Sequence, residues 1–227
     1  MNIVAVGSHP DDIELGCGGA LLAHRARGDS ITLLVMTTGE RGPQDSRSRM
    51  LEQEDAAALL GAQLYWGGFE DGAVPEGRPS VDAVQSVLRE VKADLVYTHV
   101  PRDTHQDHRG TGLATLAAAR RYSRVLGYES PTTQGFAPQL FIDIAPLVEK
   151  KLDLIRAHVS QVLKNGLVDL EAVEAQARYR GFQARVRQAE AFEVERFVWD
   201  LPVAAVEEDG LPTERILERP LARSSSI

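Results

Sequence analysis

Ile3-Val4-Ala5-Val6, running into Gly7-Ser8-His9-Pro10-Asp11-Asp12-Ile13-Glu14, is the stretch on which the fold of this chain turns. An unbroken apolar run rich in β-branched residues reads as a strand buried on both faces, which is the habit of parallel sheets. A polar, proline-stiffened turn follows at once, and Gly19 to Arg27 has helical spacing. The same alternation continues outward. Ile31 to Met36, Leu64 to Trp66, Leu95 to Tyr97 and Val125 to Tyr128 read as further strands. Ser46 to Leu60, Ser80 to Val91 and Gly110 to Tyr122 read as the helices between them. In Ser80 to Val91, the residues Val81, Val84, Val87, Leu88 and Val91 fall on one face. Strand–helix alternation of this kind implies crossover units and a Rossmann-like, three-layer α/β fold with a mostly parallel sheet.

After about residue 135 the rhythm changes. Leu140 to Ile144 reads as a strand, Pro146 as a helix start, and Val148, Leu152, Ile155 and Val159 as one apolar helix face. Residues 169–190 are helical in composition, and Phe192 to Leu201 reads as a late strand. We expect one domain: a core over 1–135, a C-terminal extension over 136–222 that walls a cleft, and a frayed tail at 223–227.

Composition narrows the function. The chain has 227 residues, 43% of them hydrophobic, which is ample for a core. Its formal net charge is −8, from 33 acidic against 25 basic residues, which argues against a nucleic-acid binder. Arg120, Arg121 and Arg124 form the one basic cluster and read as a solvated helix end. No run approaches the roughly 18 apolar residues of a membrane span. A single cysteine, Cys17, rules out an intrachain disulfide framework and reads as a buried apolar residue. Together these features point to the cytoplasm.

Two clusters of His and Asp stand out in a chain with six histidines: Ser8 to Glu14 after the first strand, and Thr104-His105-Gln106-Asp107-His108-Arg109-Gly110 after the fourth. In open α/β sheets ligands bind beyond the carboxyl ends of the strands, where crossovers change direction. With strand order 3-2-1-4-5, the first and fourth strands are neighbours at that point, so the two clusters face each other. Two imidazoles and a carboxylate are the set expected of a catalytic zinc, which would lower the pKa of a water towards 7. The plainer readings are a satisfied polar histidine near a strand end and an Asp-Asp pair that caps a helix. Gly16-Cys17-Gly18-Gly19 also suggests a dinucleotide loop, but the sixth position of that fingerprint is Leu21 and no acidic residue ends the second strand. Those glycines read instead as letting the helix pack close to the metal loop.

At these residues the chain resembles the PIG-L/LmbE-like family of zinc-dependent N-acetylglucosaminyl deacetylases. Ser8 to Asp12 is similar to the family's first motif and His105 to His108 to its second. Supporting likenesses are Thr37 to Gly42, Arg49-x-x-Glu52, Phe69 to Gly72 and Ala157-His158-Val159-Ser160-Gln161. The resemblance implies His9, Asp12 and His108 as ligands of one Zn²⁺ and Asp11 as general base. It implies His105 as the group that stabilises the tetrahedral intermediate or protonates the leaving amine, and Asp107 as the residue that orients an imidazole. It further implies Arg49, Glu40 and Asp71 as substrate contacts, an N-acetyl amino-sugar conjugate as substrate, and a homo-oligomer, trimer or hexamer. Three positions depart from the pattern: Ser8 stands for Ala and Gln106 for Pro. Asp103 stands where some relatives carry a tyrosine, a gap that Arg102 or Arg109 would fill. The competing readings are a non-haem iron oxidoreductase on the same two-His-one-carboxylate set, usually built on a β-barrel, and a non-catalytic carbohydrate-binding relative.

Overall fold

The computed structural model describes residues 1–42, 46–164 and 168–200. The frayed tail, the last residue of the expected late strand and the Pro43-to-Asp45 part of the loop before Arg49 lie outside them. Among the described residues seven strands form one sheet: β1 (Asn2–Gly7), β2 (Ser30–Val35), β3 (Gln63–Trp66), β4 (Leu95–His99), β5 (Arg124–Tyr128), β6 (Leu140–Asp143) and β7 (Ala189–Phe197). Their order is β3-β2-β1-β4-β5-β7-β6. The first five pair in parallel, as expected, with β1 between β2 and β4. The extension adds to this sheet directly, since β7 pairs antiparallel with β5 and β6 with β7.

Among the described residues six α-helices accompany the sheet: α1 (Asp12–Ala26), α2 (Ser46–Leu60), α3 (Arg78–Glu90), α4 (Gln106–Ala118), α5 (Val148–Arg156) and α6 (Leu170–Ala184). One core layer packs Ile13, Cys17, Ala20 and Leu21 of α1 and Ala57 and Leu60 of α2 on the sheet. The opposite layer packs Val84, Val87 and Leu88 of α3 and Ala118 of α4 on its other face. Cys17 is fully buried, as its plain reading predicts. Arg120 and Arg121 are exposed just past the end of α4.

Several boundaries differ from expectation for identifiable reasons. Helices α1 and α4 start seven and four residues early, because the motif residues themselves form their first turns. A 3₁₀ turn, Ala145–Leu147, precedes α5, which stops at Arg156, so Val159 leaves the apolar face and is 39% exposed. Helix α6 ends at Ala184 because Arg185 turns left-handed (φ 63°) without a glycine to announce it. The glycines of α1 face the sheet and the extension rather than the turn at Ser8 to Asp11. A Cβ at Gly16 would sit 2.2 Å from the Tyr128 ring on β5, and one at Gly19 would sit 2.9 Å from Ile144.

Candidate metal centre

The two motifs converge at the carboxyl ends of β1 and β4. Asp12 is the first residue of α1, and its Oδ2 accepts hydrogen bonds from the backbone N–H of Ser8 (3.0 Å) and His9 (2.8 Å). Its other oxygen faces His108 Nε2 at 3.3 Å, and Oδ2 lies 3.3 Å from His9 Nδ1. One donor atom from each of His9, Asp12 and His108 fits within 4.8 Å of the others, and all three residues are buried. A second trio, His9, His105 and Asp107, meets the same distance, with His105 half-buried.

Carboxylates surround both rings. His9 Nε2 lies 3.0 Å from Asp107 Oδ2 and 3.1 Å from Asp71 Oδ1. His108 Nδ1 lies 3.3 Å from Asp103 Oδ2. Burial works against charge on these imidazoles, yet the hydrogen bonds of Asp107, Asp12 and Asp71 lift His9 well above the ordinary histidine value. The charge of Asp12 and the bonds of Asp103 and Asp12 likewise lift His108 to about 9 against its burial. Asp71, bonded to His9, is held down at about 2. The pocket is therefore built to hold positive charge, and two imidazoles beside a buried carboxylate are the donors a divalent transition ion prefers.

Asp11 occupies the N-cap position of α1 but makes no capping hydrogen bond, so the helix-cap reading does not account for its carboxylate. It is 8% exposed. Burial and the charge of Asp12 push it up to about 6, while Arg49, His158 and His9 pull the other way. Arg49 Nη2 lies 3.6 Å from Asp11 Oδ2.

His105 caps α4: its Nδ1 accepts from the backbone N–H of Asp107 at 3.2 Å. Its ring stacks on His108 at 4.5 Å and meets His9 edge-on at 4.8 Å. Burial and the charges of His108 and His9 lower its pKa, outweighing Asp107. The Asp107 carboxylate instead serves His9 and accepts from the backbone N–H of Gly72 (2.6 Å) and Val74 (3.0 Å).

The expected substrate contacts are largely engaged within the protein. Asp71 faces His9 and accepts from the Arg41 N–H, and Glu40 accepts from the Asp71 N–H and the Thr38 hydroxyl. Arg49 is 6% exposed and donates to Pro10 O (2.8 Å) and Gly39 O (3.3 Å). Arg102 pairs with Glu193, and Arg109 donates to the carbonyls of Asp103 and Thr104, so both are engaged away from His9, Asp12 and His108. Gln106 is exposed.

Two residues of the centre escaped the sequence reading. His99, at the end of β4, is 1% exposed, stacks on His108 at 4.1 Å and places Nε2 3.1 Å from Asp12 Oδ2. Burial and the His108 charge push it down to about 4, so the ring is neutral, and its Nε2 lies against both Asp12 Oδ2 and the Ser8 N–H (3.3 Å). Its signal was its place at a strand's carboxyl end. Asp103 accepts from Ser130 Oγ (2.6 Å), Thr133 Oγ1 (3.0 Å) and the His105 N–H (2.8 Å) while facing His108. An outer carboxylate that fixes a ligand imidazole is a recurrent part of metal sites.

Comparison with known proteins agrees with this geometry. A profile of the PIG-L family, described as GlcNAc-PI de-N-acetylase, matches residues 4–119, just over half of the chain. The uncharacterized deacetylase YaiS of Escherichia coli (strain K12) is 35% identical over 147 residues, 61% of this chain and 80% of its own length. The structure of N,N'-diacetylchitobiose deacetylase from Pyrococcus horikoshii, complexed with its inhibitor MPG, superposes with a TM-score of 0.76. It is 25% identical and covers 85% of this chain and 83% of that one. The 4-carboxy-2-hydroxymuconate hydratase of Pseudomonas putida KT2440 shares the fold at a TM-score of 0.74 and 21% identity, covering 90% and 100% of the two chains. With the two His/Asp motifs meeting at the switch point of a 3-2-1-4-5 sheet, the chain belongs to the PIG-L family.

Proposed function

We propose that this protein is a zinc-dependent N-deacetylase that removes the acetyl group from an N-acetylglucosamine-type conjugate, releasing acetate and a free amine. The observation that carries the reading is the meeting of His9, Asp12 and His108 in one buried trio with Asp11, adjacent in the chain, left uncapped beside it. The deacetylase names of YaiS and of the Pyrococcus protein support it. The open, mostly parallel sheet speaks against the barrel on which iron oxygenase triads usually sit.

His9, Asp12 and His108 would hold the ion, which supplies Lewis acidity towards the acetyl carbonyl and towards water when bound. The remaining work falls to the chain. Asp11 accepts the proton of the attacking water, a task suited to a carboxylate whose pKa burial has raised towards neutrality. Asp107 holds the His9 ring, Asp103 the His108 ring, and His99 the Asp12 carboxylate, so that the donors stay aligned. His105 accepts at Nδ1 from the helix and so carries its proton on Nε2. That N–H can donate a hydrogen bond to the developing oxyanion, and the leaving amine takes the proton that Asp11 has accepted from water.

The test is acetate release, read by mass spectrometry, across N-acetylglucosamine conjugates carrying malate, inositol, lipid, antibiotic or a second sugar. Turnover of at least one supports the reading. No acetate from any of them, together with hydration of 4-carboxy-2-hydroxymuconate, would replace it with the chemistry named for the Pseudomonas relative.

A further inference from the structure

Asp11 has φ 96° and ψ −29°, a left-handed conformation that side chains with a Cβ rarely adopt. Such a residue persists only where its surroundings over-determine it. The peptide unit before it offers two polar atoms, the Pro10 carbonyl and the Asp11 N–H, and helix α2 engages both. Arg49 Nη2 donates to Pro10 O at 2.8 Å, and Gln53 Oε1 accepts from the Asp11 N–H at 3.3 Å. Arg49 and Gln53 are four residues apart, hence neighbours on one helix face, and are 6% and 0% exposed.

Each partner is itself anchored. Gln53 Nε2 donates to Glu14 Oε1 on α1 at 2.7 Å, which fixes the amide so that Oε1 faces Asp11. The Arg49 guanidinium also reaches Gly39 O and packs where a Cβ at Gly39 would lie, 2.2 Å from Nη1. The amide thereby ties the start of α1 to α2, and the guanidinium ties the turn after β1 to the loop after β2.

We propose that Arg49 and Gln53 are positioning residues that grip the Pro10–Asp11 peptide from both sides, hold Asp11 left-handed and so aim its carboxylate. The inference rests on the reading of Asp11 as the base. It gives Arg49 a role in placing that base in preference to a contact with substrate. A rotation about φ of Asp11 redirects its Cα–Cβ bond, and misplacement of a reacting group by about 1 Å costs up to roughly a hundredfold in rate.

The experiment is Gln53→Met, which keeps length and removes both polar contacts, studied alone and with Asp11→Asn. We expect its crystal structure to show Asp11 out of the left-handed region. We expect kcat for acetate release to fall roughly tenfold to hundredfold, with KM and metal per chain unchanged. In the Asp11→Asn background the same change should have almost no further effect on kcat, because coupled residues are not additive. An undisturbed Asp11 in the crystal, or the same loss repeated on top of Asp11→Asn, overturns the proposal. Should Gln53→Met fail to fold, Arg49→Lys serves instead. It keeps the charge but not the planar fork that reaches Pro10 O and Gly39 O together. A fall in kcat at constant KM supports the clamp, whereas a rise in KM at constant kcat assigns Arg49 to substrate and overturns it. If Asp11→Asn alone leaves kcat intact, the base reading fails separately, and the clamp is then judged on the crystallographic conformation of Asp11.

Discussion

Helix α1 touches two buried clusters of charge, and they are built on opposite terms. Along its middle lies the Lys151–Glu190 pair, 4% and 5% exposed and 2.6 Å apart. Lys151 Nζ also donates to Leu15 O, and the two oxygens of Glu190 accept from the N–H groups of Gly19 and Ala20. One cation meets one carboxylate, and the neighbouring backbone takes up the remaining capacity. At its first turn the arrangement does not close. Asp12, Asp71, Asp103 and Asp107 crowd His9 and His108, Asp11 stands left-handed and uncapped, and Arg49 Nε and His99 Nδ1 have no partner among the described residues. A buried ion pair that satisfies itself is a structural part. A buried cluster with surplus carboxylate and a strained member is the kind of place where local rules yield to chemistry.

That contrast gives separable outcomes for mutations around the first turn and around the middle of one helix. The largest effect on rate is expected from Asp11→Asn, which should lose about two to four orders of magnitude in kcat. Its thermal or chemical unfolding should stay near that of the wild type, as relief of left-handed strain by asparagine is small. Near-normal acetate release would remove Asp11 from the mechanism. At the other cluster, Lys151→Met leaves the Glu190 carboxylate buried without its cation and should cost about 3–5 kcal/mol of stability, read from the urea midpoint. Metal content and kcat per folded chain should survive. A large loss of kcat in fully folded Lys151→Met would break the division between the two regions. The smallest effect concerns Asp103, which faces the ring of His108, a proposed ligand, from the side away from Asp12. Asp103→Asn should weaken metal binding by roughly tenfold to hundredfold, measured by chelator competition, and unchanged affinity would deny it that role.

Much of this was legible in the residues, and the gaps have physical causes. Strand–helix alternation foretold the parallel sheet, whereas the 3-2-1-4-5 order is the common choice for such sheets and not a consequence of these residues. It could not foretell that β7 inserts between β5 and β6, since antiparallel neighbours are chosen by packing and not by chain order. The motif residues were legible as chemistry but were read as loop, although Asp12 and His108 lie in the first turns of α1 and α4. Helix starts there are set by Asp11, which makes no capping hydrogen bond, and by His105, which is not a usual cap residue. His99 was hidden because it ends a fully buried strand, and Asp103 because it stood out only as the absence of a tyrosine. The Arg49 and Gln53 contacts depend on how α2 lies over the turn after β1, which spacing along one helix cannot convey.

The central claim is that neighbouring carboxylates divide the work, Asp12 holding the ion and Asp11 serving beside it. Metal content per chain, measured side by side in wild type, Asp11→Asn and Asp12→Asn after identical zinc loading and dialysis, tests it most directly. The account predicts about one zinc per chain in the wild type and in Asp11→Asn, and most of it lost from Asp12→Asn, because a site left with two imidazoles binds weakly. Equal retention or equal loss in the two variants would contradict it.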